Sequence, residues 1–207
     1  KNVRDFCNNE LKPSVIERNR KNEFDQELYP KFGSLGVLGQ TVKTHGGSGT
    51  SNLAYGLVSY EFEKIDSSYR SSISVQSSLV IHPINEFGSQ EQKDKYLPQL
   101  IKGEKIGCFG LTESEAGSDP ASMKTSFKKT KDGYILNGSK NWITNAPIAD
   151  IFIIWAIEEN KNHKSIKGFI IEKNTKGLNT STIENKTSLK ISPTGQIILN
   201  NVFVPSN

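Results

Sequence analysis

Residues 106–120, IGCFGLTESEAGSDP, mark the point at which the hydrophobic pattern of the chain changes. Before them apolar residues recur every three or four positions, as on one face of a helix. After them apolar and polar residues alternate, as in a half-buried strand. Residues 106–110 are typical of a strand, whereas 111–120 hold hydroxyls, carboxylates and glycine and are too irregular to continue it. The sequence therefore predicts a helical domain over 1–104 and a strand-rich domain over 105–207.

Helix boundaries in the first domain follow from capping patterns. A serine followed three residues later by glutamate or glutamine has the spacing of a capping box, and this spacing occurs at Ser14 and at Ser89. Proline and glycine mark the helix ends. The predicted helices are 15–29, an amphipathic run that is capped by Thr50 or Ser51 and ends near Asp66, a serine-rich segment over 67–81, and a helix after Ser89 that Pro98 and Gly103 close.

The second domain shows a period of two between turn residues. Apolar and polar residues alternate from Met123 to Lys129, and residues 131–133 (KDG) predict a turn. Asn137-Gly138 is a strong hairpin signal. Further strands are predicted over 151–157, 168–172 and 196–204. Helices followed by antiparallel strands indicate an α+β fold, in which an all-α domain precedes a β barrel or sandwich, and not a doubly wound α/β sheet.

Length and charge exclude several classes of protein. The chain has 207 residues, enough for one large or two small domains, with 26 Lys and Arg against 22 Asp and Glu. The net charge of +4 is too small to indicate binding to nucleic acid or to an anionic membrane surface. The longest apolar run, 151–157, is far shorter than the roughly 18 residues of a membrane span. We therefore expect no span.

The placement of cysteine and histidine gives no indication of a metal site. Cys7 and Cys108 are far apart and form no CxxC pair. The histidines do not cluster either; they are His45, His82 and His163. We expect neither a zinc site nor a disulfide framework, and a reducing compartment follows from the few cysteines.

Two polar segments of the second domain are candidates for chemistry. In 111–120, the hydroxyls of Thr112 and Ser118 belong either to a long β loop or to a polar cradle for a ligand. In 141–145, Trp142 and Thr144 are either ordinary core and strand residues or a ring and a hydroxyl that contact a flat cofactor. Spacing alone does not distinguish these alternatives.

These segments resemble the acyl-CoA dehydrogenase flavoprotein family. The resemblance is carried by CFGLTE (108–113) and GSDP (117–120), followed in the family's order by LNGSKNWITN (136–145). Two segments of the first domain, YRSSISVQSSLVIHP (69–83) and GSQEQK (88–93), are most similar to the glutaryl-CoA dehydrogenase branch of the family. The similarity covers nearly the whole chain.

The resemblance implies that the chain holds FAD. By this resemblance, Thr112 bonds the flavin pyrimidine edge and Ser118 reaches the pyrophosphate or the acyl-CoA. Trp142 and Thr144 flank the isoalloxazine, with the Thr144 hydroxyl facing N5. The cofactor-binding residues that the resemblance implies are Phe109, Gly110, Leu111, Thr112, Gly117, Ser118, Trp142, Ile143 and Thr144. Residues 114–116 (SEA) depart from the glutaryl branch and resemble the general family, which leaves these contacts unchanged.

Arg70 and Ser71 are the candidates for substrate selection. Taken alone, Arg70 is most simply a solvated cation at the start of a helix. The resemblance implies instead that Arg70, with Ser71 alongside, binds the distal carboxylate of a glutaryl chain. A guanidinium fork suits a carboxylate because two parallel N–H bonds fix both its position and its charge. Ser118 is the further substrate-binding candidate.

The resemblance also implies a longer enzyme. Family members continue into a C-terminal helical bundle with the glutamate that removes the substrate α-proton. The catalytic base is therefore expected beyond Asn207, and a chain of these 207 residues is expected to be inactive. The implied partners are an acyl-CoA substrate, electron-transfer flavoprotein and further copies in a homotetramer. The implied setting is lysine and tryptophan degradation in the mitochondrial matrix, although the chain opens without a targeting peptide.

Three functions stay open at this point. The leading hypothesis is FAD-dependent oxidation and decarboxylation of glutaryl-CoA to crotonyl-CoA by the complete enzyme. A short- or branched-chain acyl-CoA dehydrogenase would share the fold but would have no use for Arg70 in its pocket. A non-catalytic binding module would retain the fold and bind no FAD.

Overall fold

The computed structural model describes residues 1–161 and 163–206 and divides the chain into two compact units. The helical unit consists of Lys1–Ile106 together with Glu184–Pro193, and the sheet unit consists of Gly107–Ile183 and the chain from Thr194 onwards. Residues 184–193, which the sequence places in the strand-rich domain, therefore group with the helical unit. Asn207, the last residue of the predicted second domain, lies outside the described residues.

The helical unit is built around buried aromatic side chains. Phe32 and Phe62 pack edge to face with ring centroids 5.4 Å apart, and Phe6 and Tyr29 each pack against Phe32. Large rings of this kind dominate the energy of a small core. The helices are α1 (Asn2–Phe6), which continues as a π-helical turn over Cys7–Leu11, α2 (Val15–Lys21), α3 (Leu28–Ser34), α4 (Asn52–Glu63), α5 (Ser67–Ser74), which continues through a π-helical segment over Val75–Ile81 into α6 (His82–Phe87), and α7 (Gln90–Ile101).

The helix predicted over 15–29 is interrupted in the structure. α2 ends at Lys21, because Asn22 adopts a left-handed conformation with φ 55°, and α3 begins several residues later. Asparagine visits this conformation more readily than most residues, so it ends a helix that the apolar spacing alone would continue. Ser14 also differs from the prediction. It makes no capping bond, and its Oγ instead accepts from Arg18 Nε at 3.2 Å.

The other predicted helix starts are confirmed. Ser51 Oγ accepts the Ala54 N–H at 3.2 Å and caps α4. Ser89 and Gln92 form both bonds of a capping box at the start of α7, at 3.2 and 3.0 Å. The serine-rich segment 67–81 is helical throughout.

α7 continues past Pro98, so the prediction that this proline closes the helix is wrong. Leu97, Leu100 and Ile101 are buried and hold the last turn of α7 in the core. The apolar contacts thus outweigh the hydrogen bond that proline cannot donate. α7 ends at Ile101, shortly before Gly103, whose φ of 72° prevents its continuation.

The described part of the sheet unit contains a seven-stranded curled sheet in the order β1-β4-β2-β3-β7-β6, with β5 paired to β4. The strands are β1 (Gly107–Gly110), β2 (Ser126–Lys129), β3 (Gly133–Thr144), β4 (Ile151–Glu158), β5 (Lys167–Glu172), β6 (Leu178–Thr182) and β7 (Thr194–Pro205). The predicted fold class, an all-α domain followed by a β domain, is confirmed. The expectation of wholly antiparallel strands is wrong, since β1 and β2 both pair with β4 in parallel.

Asn137-Gly138 does not form the predicted hairpin turn. The turn between β2 and β3 lies at the predicted 131–133 segment instead, where Thr130 N–H donates to the Gly133 carbonyl at 2.8 Å. At Gly138 the register of β3 against β7 slips, and φ is 142°. A Cβ there would stand 2.6 Å from Thr125 Cα. Glycine is required at this position by a bulge and a close backbone approach, and not by a turn.

The structure also bears on membranes, metals and thiols. No helix in residues 1–161 and 163–206 is long and apolar enough to cross a membrane. The same residues contain no group of His, Cys, Asp or Glu placed to hold a metal ion. Cys7 and Cys108 are free and buried, and burial raises the pKa of the Cys7 thiol to about 11 and that of Cys108 well above its usual range. Neither is a reactive thiolate at neutral pH.

Candidate functional site

Residues 111–118, which we call the site loop, lie beside the end of β3 in the sheet unit. Asn141 joins the two. Its backbone N–H donates to the Thr112 carbonyl at 2.9 Å, and its Nδ2 donates to Ser114 Oγ at 3.4 Å. The structure therefore brings together the two polar segments that the sequence analysis singled out as candidates for chemistry.

Trp142 occupies an irregular point of β3. The pairing of β3 with β7 slips between Lys140 and Ile143, and Trp142 has φ 60°, a conformation that bulky residues rarely adopt. Asn141 Oδ1 accepts the Trp142 N–H at 3.0 Å, and Trp142 is 59% exposed. Strained backbone of this kind persists where the surroundings impose it, and it is concentrated at functional sites. Trp142 is thus an exposed aromatic surface on a constrained backbone and not a core residue.

The hydroxyl groups of Thr112, Ser118 and Thr144 make no hydrogen bond to any described residue. Thr112 and Thr144 are half-buried, and Ser118 is exposed. Apart from Gly117 and its two chain neighbours, no heavy atom of a described residue lies within 4 Å of the point where a Cβ on Gly117 would stand. A hydroxyl can both donate and accept, so these groups are available to the polar edges of a ligand.

Three further predicted cofactor residues, Phe109, Gly110 and Ile143, pack inside the sheet unit. Phe109 lies edge to face against Trp155, with ring centroids 6.0 Å apart. A Cβ on Gly110 would stand 2.6 Å from Ile154 Cδ1, so a larger residue there would displace the end of the Ile154 side chain. Ile143 is 3% exposed. These residues shape the structure behind the site and do not present polar groups to it.

A buried ion pair lies at the base of the site loop and was not predicted from the sequence. Lys140 Nζ lies 2.8 Å from Glu113 Oε1, and the two side chains are 0% and 9% exposed. Lys140 Nζ also donates to the Leu111 carbonyl at 3.0 Å. The Glu113 carboxylate accepts the backbone N–H groups of Lys124 and Thr125, at 2.7 and 2.9 Å. The sequence held one indication of this pair: Lys140 lies in a strand between the apolar residues Leu136 and Ile143, both of which are buried.

Burial and hydrogen bonding act in opposite directions on this pair. Burial alone raises the pKa of the Glu113 carboxyl, but hydrogen bonds from Lys140, Thr125 and Lys124 together hold the pKa below its usual range. Burial lowers the pKa of Lys140, and the ion pair with Glu113 opposes this change. A buried carboxylate that faces several N–H donors is stabilised in its charged form.

Acidification is therefore expected to destabilise the protein in part through Glu113. Because the pKa of Glu113 is lower in the folded than in the unfolded state, its stabilising contribution is present above the unfolded value, near 4.5, and is lost as pH falls through the folded pKa. Thermal unfolding from neutral pH into this range tests the prediction. Glu113→Gln should lose less stability on acidification than the wild type, and an equal loss in both proteins would contradict it.

Arg70 lies on α5, whose start is capped by Asp66 Oδ1 accepting the Ser68 N–H at 2.7 Å. Arg70 Nε donates to Glu63 Oε2 at 2.7 Å, and the Arg70 side chain is 38% exposed. No described residue bonds its terminal Nη groups. Ser71 is half-buried, and its hydroxyl has no partner among the described residues. Arg70 thus forms an ion pair at the surface, as a solvated arginine does. Its Nη groups remain available as donors to a ligand.

A helical unit followed by a curled sheet unit is the arrangement of two domains of a known enzyme family. Residues 1–104 match the N-terminal domain of acyl-CoA dehydrogenases, and residues 108–202 match their middle domain. The chain belongs to the acyl-CoA dehydrogenase family. The family resemblance predicted from the sequence motifs is therefore confirmed.

Relatives in this family are named for different acyl chains. The short-chain-specific acyl-CoA dehydrogenase of Clostridium acetobutylicum is 39% identical over 205 residues, which are 98% of this chain and 54% of the relative. Mitochondrial isovaleryl-CoA dehydrogenase of Pongo abelii is 38% identical over 99% of this chain and 50% of its own length. The crystal structure of a glutaryl-CoA dehydrogenase from Mycobacterium smegmatis in complex with FADH2 matches with a TM-score of 0.95 and 41% identity, over 99% of this chain and 52% of that one. This chain spans about half the length of each of these three proteins.

Proposed function

We propose that the complete protein is a FAD-dependent acyl-CoA dehydrogenase whose sheet unit holds the flavin. The observation that carries the proposal is the exposed indole of Trp142 on a constrained backbone, accompanied by the partnerless hydroxyls of Thr112 and Thr144. An aromatic surface with nearby hydroxyls suits a flat ring whose edge carries hydrogen-bonding atoms. The glutaryl-CoA dehydrogenase from Mycobacterium smegmatis carries FADH2, which supports the same assignment.

The chain's own residues would bind and orient this group. FAD, when bound, supplies the redox chemistry by accepting a hydride from the acyl chain. The Thr112 hydroxyl would bond the pyrimidine edge, the Thr144 hydroxyl would face the ring, and Trp142 would cover the ring and exclude water. Ser118 would bond the pyrophosphate or the acyl-CoA. The surrounding wall would be formed by Phe109, Gly110, Leu111, Gly117 and Ile143.

Glutaryl-CoA is the substrate that we propose, with Arg70 as the residue that selects it. Among the described residues Arg70 bonds Glu63 through Nε, which leaves its Nη groups for the distal carboxylate of the substrate. The hydroxyl of the adjacent Ser71 would be a further donor. The substrate would lose its α-proton and its β-hydride, and then its distal carboxylate as carbon dioxide. The γ-carbon left behind would take up a proton, giving crotonyl-CoA.

The remaining parts of the proposal concern the complete protein. Proton abstraction needs a base within hydrogen-bond reach of the substrate, and the proposal assigns it to a glutamate beyond Asn207. A chain of these 207 residues alone would then be inactive. Electrons would leave to electron-transfer flavoprotein from a homotetramer. Lysine and tryptophan degradation in the mitochondrial matrix is the proposed setting.

A short- or branched-chain acyl-CoA dehydrogenase is the alternative. The ion pair of Arg70 with Glu63 supports it, because such a pair is also what an arginine with no substrate role forms at a surface. The short-chain and isovaleryl relatives support it as well. Activity of the complete protein on glutaryl-CoA, butyryl-CoA and isovaleryl-CoA separates the two proposals.

The complete protein is expected to purify with a flavin absorption band, and Thr112→Val is expected to weaken its affinity for FAD. Loss of one hydrogen bond of about 0.5 to 1.5 kcal/mol corresponds to a roughly 2- to 10-fold higher Kd. Quenching of flavin fluorescence on titration of the apoprotein measures it. Thr180→Val, an exposed threonine on β6, is the matched control and should leave the Kd unchanged. A wild-type protein that shows no flavin band and binds no FAD would contradict the proposal and favour a non-catalytic module.

A further inference from the structure

Lys140 has no proposed role in binding cofactor or substrate, yet its side chain makes several buried polar contacts. Its ammonium group lies 3.0 Å from the Leu111 carbonyl, 2.8 Å from Glu113 Oε1 and 3.9 Å from Met123 Sδ. The side chain is fully buried. The side chain of this lysine, which belongs to β3, therefore directs its hydrogen bonds to the site loop and to the residues that follow it.

Glu113 joins the site loop to the segment that leads into β2. Its carboxylate accepts the backbone N–H groups of Lys124 and Thr125. Thr125 Oγ1 in turn donates to the Ser139 carbonyl at 3.2 Å, which connects this segment to β3 again. The ion pair thus lies where the site loop, the start of β2 and the end of β3 converge.

We infer that Lys140 and Glu113 are positioning residues of the candidate flavin site, and that their buried ion pair fixes the site loop against the end of β3. The inference rests on the proposed function, because it concerns the same flavin site. Neither side chain is assigned a contact with FAD or substrate. The pair acts through Thr112 in the loop and Trp142 on the strand, whose spacing it sets.

Stability alone does not account for such a pair. Removing two charges from water offsets most of their attraction, and a well-packed apolar pair of similar volume is often as stable. An ion pair with further hydrogen bonds adds direction, because its atoms must meet at fixed distances and angles. Gly117 and Ser118 at the tip of the site loop are exposed, while Ala116 is buried and exchanges two backbone hydrogen bonds with Glu113, at 3.1 and 3.2 Å. These bonds connect the tip to the residue that carries the ion pair. The anchor at the base of the loop therefore determines where the loop lies.

The test compares the complete wild-type protein with the double variant Lys140→Met, Glu113→Gln, which removes both charges and nearly preserves both volumes. Lys124→Gln is the matched control. It breaks the exposed ion pair of Lys124 with Glu115, and it leaves in place the backbone N–H that Glu113 accepts. Three quantities are measured on each protein: the melting temperature of the apoprotein, amide hydrogen exchange at Asn141 and in the site loop without FAD, and the Kd for FAD.

We expect the double variant to stay folded with a lower melting temperature, because glutamine has one acceptor oxygen for the two backbone N–H groups that the carboxylate accepts. It should lose more exchange protection at the Asn141 N–H than this fall in overall stability accounts for. Its Kd for FAD should rise at least about tenfold, the lower end of the loss that supporting residues cause at metal sites. Lys124→Gln should match the wild type in every measurement. Wild-type exchange protection together with wild-type FAD affinity in the double variant would overturn the inference. If the double variant does not fold, Glu113→Asp, which keeps the charge and shortens the side chain, is judged by the same criteria.

The exchange measurement separates this inference from the proposed function. A wild-type protein that binds no FAD contradicts the proposed function and, with it, the role of the pair at a flavin site. Loss of loop protection in the double variant, measured without FAD, would still establish the anchor itself. Flavin binding that is normal in the wild type and unchanged in a double variant with a mobile loop would overturn the inference and leave the proposed function intact.

Discussion

Replacing Lys140 by methionine alone is expected to destabilise the sheet unit by about 3 to 5 kcal/mol, the usual loss when one partner of a buried ion pair is removed. The variant leaves the Glu113 carboxylate buried, with only the backbone N–H groups of Lys124 and Thr125 as donors. Methionine nearly matches the volume of lysine, so a cavity contributes little. Denaturant unfolding followed by fluorescence measures the change, since both tryptophans of this chain, Trp142 and Trp155, lie in the sheet unit.

Two further variants identify the cause of this loss. Adding Glu113→Gln to Lys140→Met removes the unpaired charge and should recover part of the stability. Recovery is incomplete because the glutamine amide has one acceptor oxygen for the two backbone N–H groups that the carboxylate accepts. Lys124→Gln breaks an exposed ion pair in the same region and should cost at most about 1 kcal/mol. A loss in Lys140→Met that is no larger than in Lys124→Gln would show that the buried pair contributes nothing.

The architecture could be predicted from the sequence because it depends on local patterns. The change of hydrophobic period near residue 105 separates the helical from the strand-rich part, and the capping box at Ser89 places α7. The errors occur where one residue type serves two geometries. Asn137-Gly138 suits a hairpin turn and a bulge equally, and only the pairing of β3 with β7 decides between them. Asn22 ends α2 through its backbone conformation, which no apolar period reports.

The exposed face of α4 shows a second limit of sequence patterns. Leu53 and Leu57 recur at helical spacing as a buried face would, yet they are 74% and 61% exposed in the structure. Apolar spacing establishes that residues share a face of the helix. What covers that face is a property of the surroundings and cannot be read from the spacing.

The candidate site was predictable only where a motif carried it. The motifs containing Thr112 and Trp142 were identified as candidates, and the structure brings these two segments together. The pair of Lys140 and Glu113 was not predicted, because two charged residues 27 positions apart give no pattern until the strand and the loop are placed side by side. Long-range polar contacts of this kind depend on the tertiary fold and not on local propensity.

Arg70→Ala in the complete protein is expected to lower kcat/KM for glutaryl-CoA by roughly 30-fold to several thousandfold. A carboxylate that leaves water for an acyl pocket needs a charged partner, and removing that partner costs about 2 to 5 kcal/mol. At about 1.4 kcal/mol per factor of ten, this cost gives the stated range. Activity on butyryl-CoA should change far less, because its uncharged chain has no group for the guanidinium to bind. Steady-state kinetics with both substrates measures the ratio.

The ion pair of Arg70 with Glu63 provides the control for this prediction. If Arg70 serves only to pair with Glu63 and hold α5 in place, Glu63→Gln should reproduce the loss, and both substrates should be affected together. If Arg70 binds the substrate carboxylate, Glu63→Gln should leave discrimination between the substrates largely intact. Arg70→Lys should then recover only part of it, since lysine keeps the charge but lacks the bidentate fork. An Arg70→Ala enzyme that keeps full activity on glutaryl-CoA would remove glutaryl-CoA as the proposed substrate, and leave the short- or branched-chain assignment.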